Sequence, residues 1–226
     1  MIDWQAVWLS LRLAAATTVV LLAVGLPLGY WIARSQRPWR PLVEALVAMP
    51  LILPPTVLGF YLLLAMGPNG PLGALWAGAT GGRLAFSFEG LLIASVLYSL
   101  PFAVQPFSVA FAAVDRALLE VSWTLGRSGV ATFARVVVPL SMGGILTGMI
   151  LAFAHTLGEF GVVLMVGGNI PGETRTVSIA IYDRVQALDY AAAAATALPL
   201  LFISFTVLAL TYGLRGLTLV PWLTRR

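Results

Sequence analysis

The chain contains no cysteine and no lysine, and its one histidine is His155. The first absence excludes disulfides and thiolate metal sites. The second excludes an ordinary phosphate-binding loop, whose lysine reaches the phosphates of a bound nucleotide. If ATP drives this protein, the hydrolysis belongs to a partner. A metal site built on His155 and Glu159 would lack a third ligand, and no convergent catalytic set points to an enzyme. Charge is scarce too: 10% of the 226 residues carry it, against about 25% in a soluble domain.

What fills the chain instead is apolar. Hydrophobic residues make up 60%, and the mean hydropathy is +0.95. Five segments, near 7–33, 42–66, 90–113, 140–166 and 191–214, approach the roughly 20 residues a helix needs to cross a hydrocarbon core. The expectation is an all-α integral membrane protein of about five transmembrane helices, one membrane domain over 1–226. Asp3 stands where a signal peptide would be basic, so the first segment reads as a retained span.

The basic residues, all arginine, set an orientation. Arg34, Arg37, Arg40, Arg116, Arg127, Arg135, Arg215, Arg225 and Arg226 fall on one side of these spans, nine in all. Arg83, Arg175 and Arg184 fall on the other, three in all. By the positive-inside rule the N-terminus is outside and the C-terminus cytoplasmic. The same distribution accounts for a net charge of +4 without any nucleic-acid partner. Arg12, inside the first span, reads as an arginine that snorkels to the interface.

Two spans carry irregularities. In MPLILPPTVLGF, ahead of Thr56, Pro50, Pro54 and Pro55 each remove a backbone donor, so the second span bends or opens there. A kink beside a translocation path and a simple packing kink both fit. In the fourth span Gly144, Gly148, Ala152, His155 and Glu159 share one helical arc of about 80°. Gly144 and Gly148 form GxxxG, which lets another helix approach closely. His155 and Glu159 are then either a structural polar pair in a dimer interface or part of the lining of a path. The segment from Gly67 to Ser87 is glycine-rich and reads as an external loop. The one from Gly167 to Tyr190 ends in an amphipathic stretch suited to the membrane surface.

Residues 114–139 form a polar interruption with internal order. Leu118 to Leu125 suit a short helix, with Gly126 just past its end. Ser128 is placed to cap a second helix from Gly129 to Arg135. Pro139 disfavours helix before it and suits the first position of the fourth span.

With Glu120, Val121, Ser122, Gly126, Arg127, Val136, Val138 and Pro139 at these spacings, the loop resembles the one by which membrane subunits of ABC importers grip their ATPase. The family writes it E-A-A, three residues, Gly, nine residues, I-x-L-P; here Glu, Gly and Pro match, and the two alanines, the Ile and the Leu are replaced. LGEFG (Leu157 to Gly161) followed by GNIPGETRT (Gly168 to Thr176) is similar to the permease subunit of molybdate/tungstate importers; sulfate importer permeases share the first element. The resemblance implies a type I importer permease fold and a homodimer. It implies two cytoplasmic ATPase subunits holding ATP-Mg, no cofactor on this chain, and an external protein that delivers the oxyanion. It makes Pro54, Pro55, Thr56, His155, Gly158, Glu159 and Gly161 the candidate path or gate. Asn169, Pro171, Gly172, Glu173, Thr174 and Arg175 become the candidate contact for the binding protein. A sulfate or thiosulfate permease is the nearest alternative; a secondary transporter driven by protons through His155 and Glu159 is the alternative of another class.

Overall fold

The computed structural model describes residues 2–215, and among them every regular element is helical. Arg225 and Arg226 lie outside the described residues. The first helix, α1 (Trp4–Arg34), starts on Asp3, whose Oδ1 accepts the Ala6 N–H at 3.0 Å. That bond satisfies one of the free donors of a helix start. Arg12 lies over the Phe88 ring, 4.2 Å from its centroid, a cation–π contact that steadies its charged end.

The long helix α5 (Phe88–Ala112) is the axis of the fold, packed between α1 and α9 (Met142–Gly158). Its Phe107 is fully buried. Glycines of two helices close on that residue. A Cβ on Gly29 of α1 would sit 3.0 Å from Phe107 Cβ, and one on Gly148 of α9 would sit 2.6 Å from Phe107 Cε1. Lipid is as apolar as a side chain, so transfer from water does not hold such helices together; close packing does. The GxxxG of the fourth expected span therefore meets α5 of the same chain.

Two expected spans are not single helices. Residues 42–66 divide into α2 (Arg40–Ala48), a 3-10 turn Met49–Leu51, and α3 (Pro55–Met66), with a 107° bend at the break. Pro54 is extended (φ −54°, ψ 135°) and Pro55 takes the first position of α3, where a missing N–H costs nothing. Residues 140–166 divide as well. The helix α9 ends at Gly158, Glu159 and Phe160 break it, and α10 (Gly161–Gly167) follows. Among the described residues, α1 and α5 are the unbroken helices long and apolar enough to cross a membrane, and up to four spans result if each bent pair counts as one. The segment 191–214 falls in α12 (Tyr190–Arg215).

The glycine-rich segment expected as an external loop is not simply a loop. It holds α4 (Pro71–Thr80), which opens on a proline and closes on Gly81 at φ +72°. The amphipathic stretch becomes α11 (Val177–Gln186), packed against α1 and α12. The Val177 N–H donates to Ser10 Oγ at 2.8 Å.

Candidate functional site

The polar loop folds as a hinged pair. In α6 (Arg116–Thr124) the Asp115 carboxylate accepts the Ala117 N–H at 2.9 Å. Gly126 adopts φ +75°, and its N–H reaches Trp123 O at 2.9 Å while Arg127 N–H reaches Ser122 O at 3.1 Å. This is the two-bond Schellman ending, which needs a residue at ease in the left-handed region. Ser128 Oγ then accepts the Ala131 N–H at 3.3 Å to start α7 (Gly129–Thr132). A Ser122–Thr132 hydroxyl bond of 2.9 Å ties α6 to α7.

The second helix departs from expectation. It does not run as α-helix to Arg135; a π turn occupies Phe133–Val137, with Val138 N–H bonded to Phe133 O. Pro139 explains this. It has no N–H to give the Arg135 carbonyl, and its ring crowds that position, so the chain widens one residue earlier. Pro139 lies inside α8 (Val138–Leu140), and the re-entry bend, 77°, falls at Ser141 instead.

The faces of α6 differ. Leu119 and Ser122 are buried, whereas Leu118, Val121 and Leu125 are 46%, 55% and 75% exposed. Steps of three and four residues put the exposed three on one stripe. Glu120 is paired with Arg116 at 3.2 Å on the surface, an interaction worth only a few tenths of a kcal/mol. Arg127 is exposed; Val136 and Val138 are half-buried against the core around Phe111. Glu120, Val121 and Arg127 can thus meet a partner, while Ser122, Val136 and Val138 hold the loop in shape.

The candidate path residues converge. Pro55, Thr56, His155, Gly158, Glu159 and Gly161 line one cavity of about 480 Å³; Pro54 stands just outside, as the cap of α3. The two helix breaks meet here, and a Cβ on Gly161 would lie 2.7 Å from Pro55 Cβ. His155 stacks on Phe102 with centroids 3.9 Å apart, and its Nδ1 is 2.9 Å from Ser99 Oγ. Glu159 does not sit one turn above His155 on a continuous helix. Its backbone is extended (φ −69°, ψ 140°), and its side chain is 5% exposed. The Ser95 hydroxyl and the Val163 amide face the carboxylate, yet neither of its oxygens completes a hydrogen bond of normal geometry. A carboxylate so placed is costly, which marks this cavity as more than filling between helices. Sequence reasoning missed Tyr98, which lines the cavity, and Ser99 beside it. The signal was Ser95 and Ser99, both wholly buried, one turn apart in an apolar helix.

The loop after α10 is knit to itself. Thr174 is fully buried; its Oγ1 donates to Gly167 O at 2.6 Å and accepts the Ile170 N–H at 3.2 Å. Arg175 donates to Asn169 Oδ1 at 2.6 Å and approaches Asp183 at 3.5 Å. The Thr174 side chain therefore faces inward and cannot touch an external protein. Pro171, Gly172 and Glu173 remain exposed, with Gly172 at φ +79° and Glu173 paired to Arg83 at 2.9 Å.

Comparison with known proteins agrees with this architecture. Residues 25–216 match the family described as binding-protein-dependent transport system inner membrane component. The chain is 52% identical to the molybdenum transport system permease protein ModB of Azotobacter vinelandii, covering 94% of each chain. It is 33% identical to a probable sulfate transport system permease protein of Nephroselmis olivacea, covering 88% of this chain and 70% of the other. In fold it is similar to a chain of a bacterial alginate ABC transporter solved with its alginate pentasaccharide-bound periplasmic protein. That likeness has a TM-score of 0.75 at 15% identity, over 98% of this chain and 79% of the other. By the match over most of its length, the chain belongs to the binding-protein-dependent transport system inner membrane components, the permease subunits of ABC importers.

Proposed function

We propose that this chain is the transmembrane permease subunit of an ATP-driven importer of molybdate, with tungstate as a further cargo. The observation that carries the cargo is the 52% identity to a molybdenum permease over 94% of both chains. Identity to the sulfate permease is lower, at 33%. In this reading the chain crosses the inner membrane five times, with its N-terminus outside and its C-terminus in the cytoplasm. Residues 1–226 form one permease domain, working as a homodimer with two ATPase subunits and an external oxyanion-binding protein. It needs no cofactor of its own, because ATP-Mg resides on the partner.

The geometry supplies a mechanism for coupling. The exposed stripe of α6 is the surface an ATPase groove takes, an amphipathic helix laid into a complementary cleft. Asp115 joins α6 to the end of α5, and α7 and α8 join it to α9. Both α5 and α9 contribute walls to the Glu159 cavity, through Tyr98 and His155. A shift of α6 driven by ATPase closure is therefore passed to both walls together. Selection of cargo falls to the external protein, since a conduit must bind weakly enough to release. Pro171, Gly172 and Glu173 are its candidate seat on this chain.

The test is uptake by the reconstituted complex, with its ATPase and binding protein, of labelled molybdate against unlabelled tungstate and sulfate. Tungstate should compete and sulfate should not. Equal competition by sulfate would move the assignment to the sulfate branch, and uptake by this chain alone under a pH gradient would replace the ATP-driven reading.

A further inference from the structure

A second cavity, of about 420 Å³, lies where α1 ends, α2 begins and α6 passes over them. Its wall includes Tyr30, Arg34, Arg40, Arg116, Leu119 and Trp123, and no acidic residue lines it. The volume is within the range of sites for small ligands.

The charges around it do not balance. Arg40 pairs with Glu44 at 2.8 Å and Arg116 with Glu120 at 3.2 Å, both carboxylates standing on the exposed side. Arg34 has no carboxylate among the described residues. One terminal nitrogen gives hydrogen bonds to the carbonyls of Phe111 and Val114, each at 2.7 Å. Its Nε is buried and has no acceptor. Three arginines thus line a common space, and two exposed carboxylates outside it are their acidic partners. Planar guanidinium forks suit tetrahedral oxyanions, which accept paired N–H bonds.

The frame is aromatic. Tyr30 and Trp123 line the cavity, and Trp31 and Trp39, each next in sequence to a lining residue, stack with centroids 4.6 Å apart. Such residues favour the depth of lipid headgroups, and arginines next to a span attract anionic lipid. The cavity also touches α6, which buries only Leu119 and Ser122.

We propose that this cavity binds a phosphate-type tetrahedral oxyanion, supplied either by an anionic lipid headgroup or as a free ion, and that the bound anion ties α6 to the ends of α1 and α2. Occupancy would then set how firmly the docking helix is seated, a control separate from the Glu159 cavity. The leaflet from which a lipid would enter rests on the orientation proposed above; binding by the purified chain does not.

The full-length chain in neutral detergent is titrated with phosphatidylglycerol, phosphatidylcholine or inorganic phosphate. Native mass spectrometry reads bound ligand, and hydrogen exchange reads protection of residues 116–124. One saturable site per chain is expected, with α6 more protected when it is filled. Losing one charge-assisted contact by Arg116→Gln or Arg40→Gln should weaken binding about tenfold. Glu120→Gln, which frees Arg116 from its partner, should tighten it. Arg37→Gln, in the same loop but outside the wall, should change nothing. Arg116 is 71% exposed, so its variant keeps the fold. Saturation by phosphatidylglycerol alone identifies a headgroup, and saturation by phosphate alone identifies a free ion. No saturable binding of any probe, or an Arg37→Gln loss equal to that of Arg116→Gln, overturns the proposal and leaves the arginines a purely topological signal.

Discussion

Three glycines at the start of α9 should respond to the same substitution in opposite directions. At Gly148 an added Cβ would stand 2.6 Å and 2.9 Å from two atoms of the Phe107 ring and 2.9 Å from the Ala103 carbonyl oxygen. Ordinary contact begins near 3.4 Å, so α9 must retreat by roughly half an ångström or more, and overpacking of this kind costs about 1–3 kcal/mol. Gly144→Ala is at least as severe, its Cβ falling 2.3 Å from Ala110 Cβ. Gly143 has nothing within 4 Å; there alanine removes backbone freedom from the unfolded chain and should stabilise by about 0.5–1 kcal/mol. The assay is the unfolding midpoint of each purified variant in mixed micelles of rising SDS fraction. Phe107→Leu added to Gly148→Ala should recover part of the loss, because the ring is removed but the Ala103 carbonyl is not; the pair should deviate from additivity. Gly148→Ala as stable as Gly143→Ala would refute the claim that α5 is clamped at Phe107.

Other consequences follow from the same contacts. Val121→Asp together with Leu125→Asp places charge on the exposed stripe of α6; the ATPase should co-purify at least about tenfold less, while the permease keeps its unfolding midpoint. Deleting Glu120 to Arg127 should abolish the association, and an intact complex after that deletion would remove α6 as the docking helix. Thr174→Val keeps the shape of the side chain and strands the Gly167 carbonyl and the Ile170 N–H, a loss of about 1–3 kcal/mol read as faster proteolysis in residues 168–176; Thr174→Ser should largely restore resistance. Ser99→Ala removes the hydroxyl that meets both His155 Nδ1 and Thr156 Oγ1, each at 2.9 Å. A loss of about 1 kcal/mol or more is expected, with a changed His155 ring resonance as the local reporter.

The parts of the fold legible in the sequence are those with a local cause. Ser128 caps the helix that follows it, and Gly126 ends α6 where a left-handed residue is required. The break before Pro55 follows from two missing donors. What was not legible depends on partners distant in sequence. The GxxxG of α9 announces a close neighbour but not which one, and α5 fills that role. The Glu159–Phe160 break contains no proline, and an apolar run with one histidine and one carboxylate reads as unbroken. Thr174 looked like a surface residue because its loop is polar, although its hydroxyl satisfies two backbone groups inside the loop. The anion-type cavity was divided between two arginine clusters about eighty positions apart, each explained by topology alone.

The second break makes sense only beside the first. Opening a helix within the membrane frees backbone groups that lipid cannot satisfy, so the opening must face protein or water. Here each opening faces the other. The half-helix α3 packs on the half-helix α10, with Gly59 admitting Met165 and Gly161 admitting Pro55. Glycine at both crossings lets the two backbones approach closely enough to shield the breaks from the side. What lies between them is the cavity that holds His155 and the unpartnered Glu159 carboxylate. A span broken for packing alone would have no reason to bury an acid at the break. Two breaks that shelter one another, with a buried acid at their junction, put the freed backbone groups where lipid is excluded on physical grounds, independently of any relative.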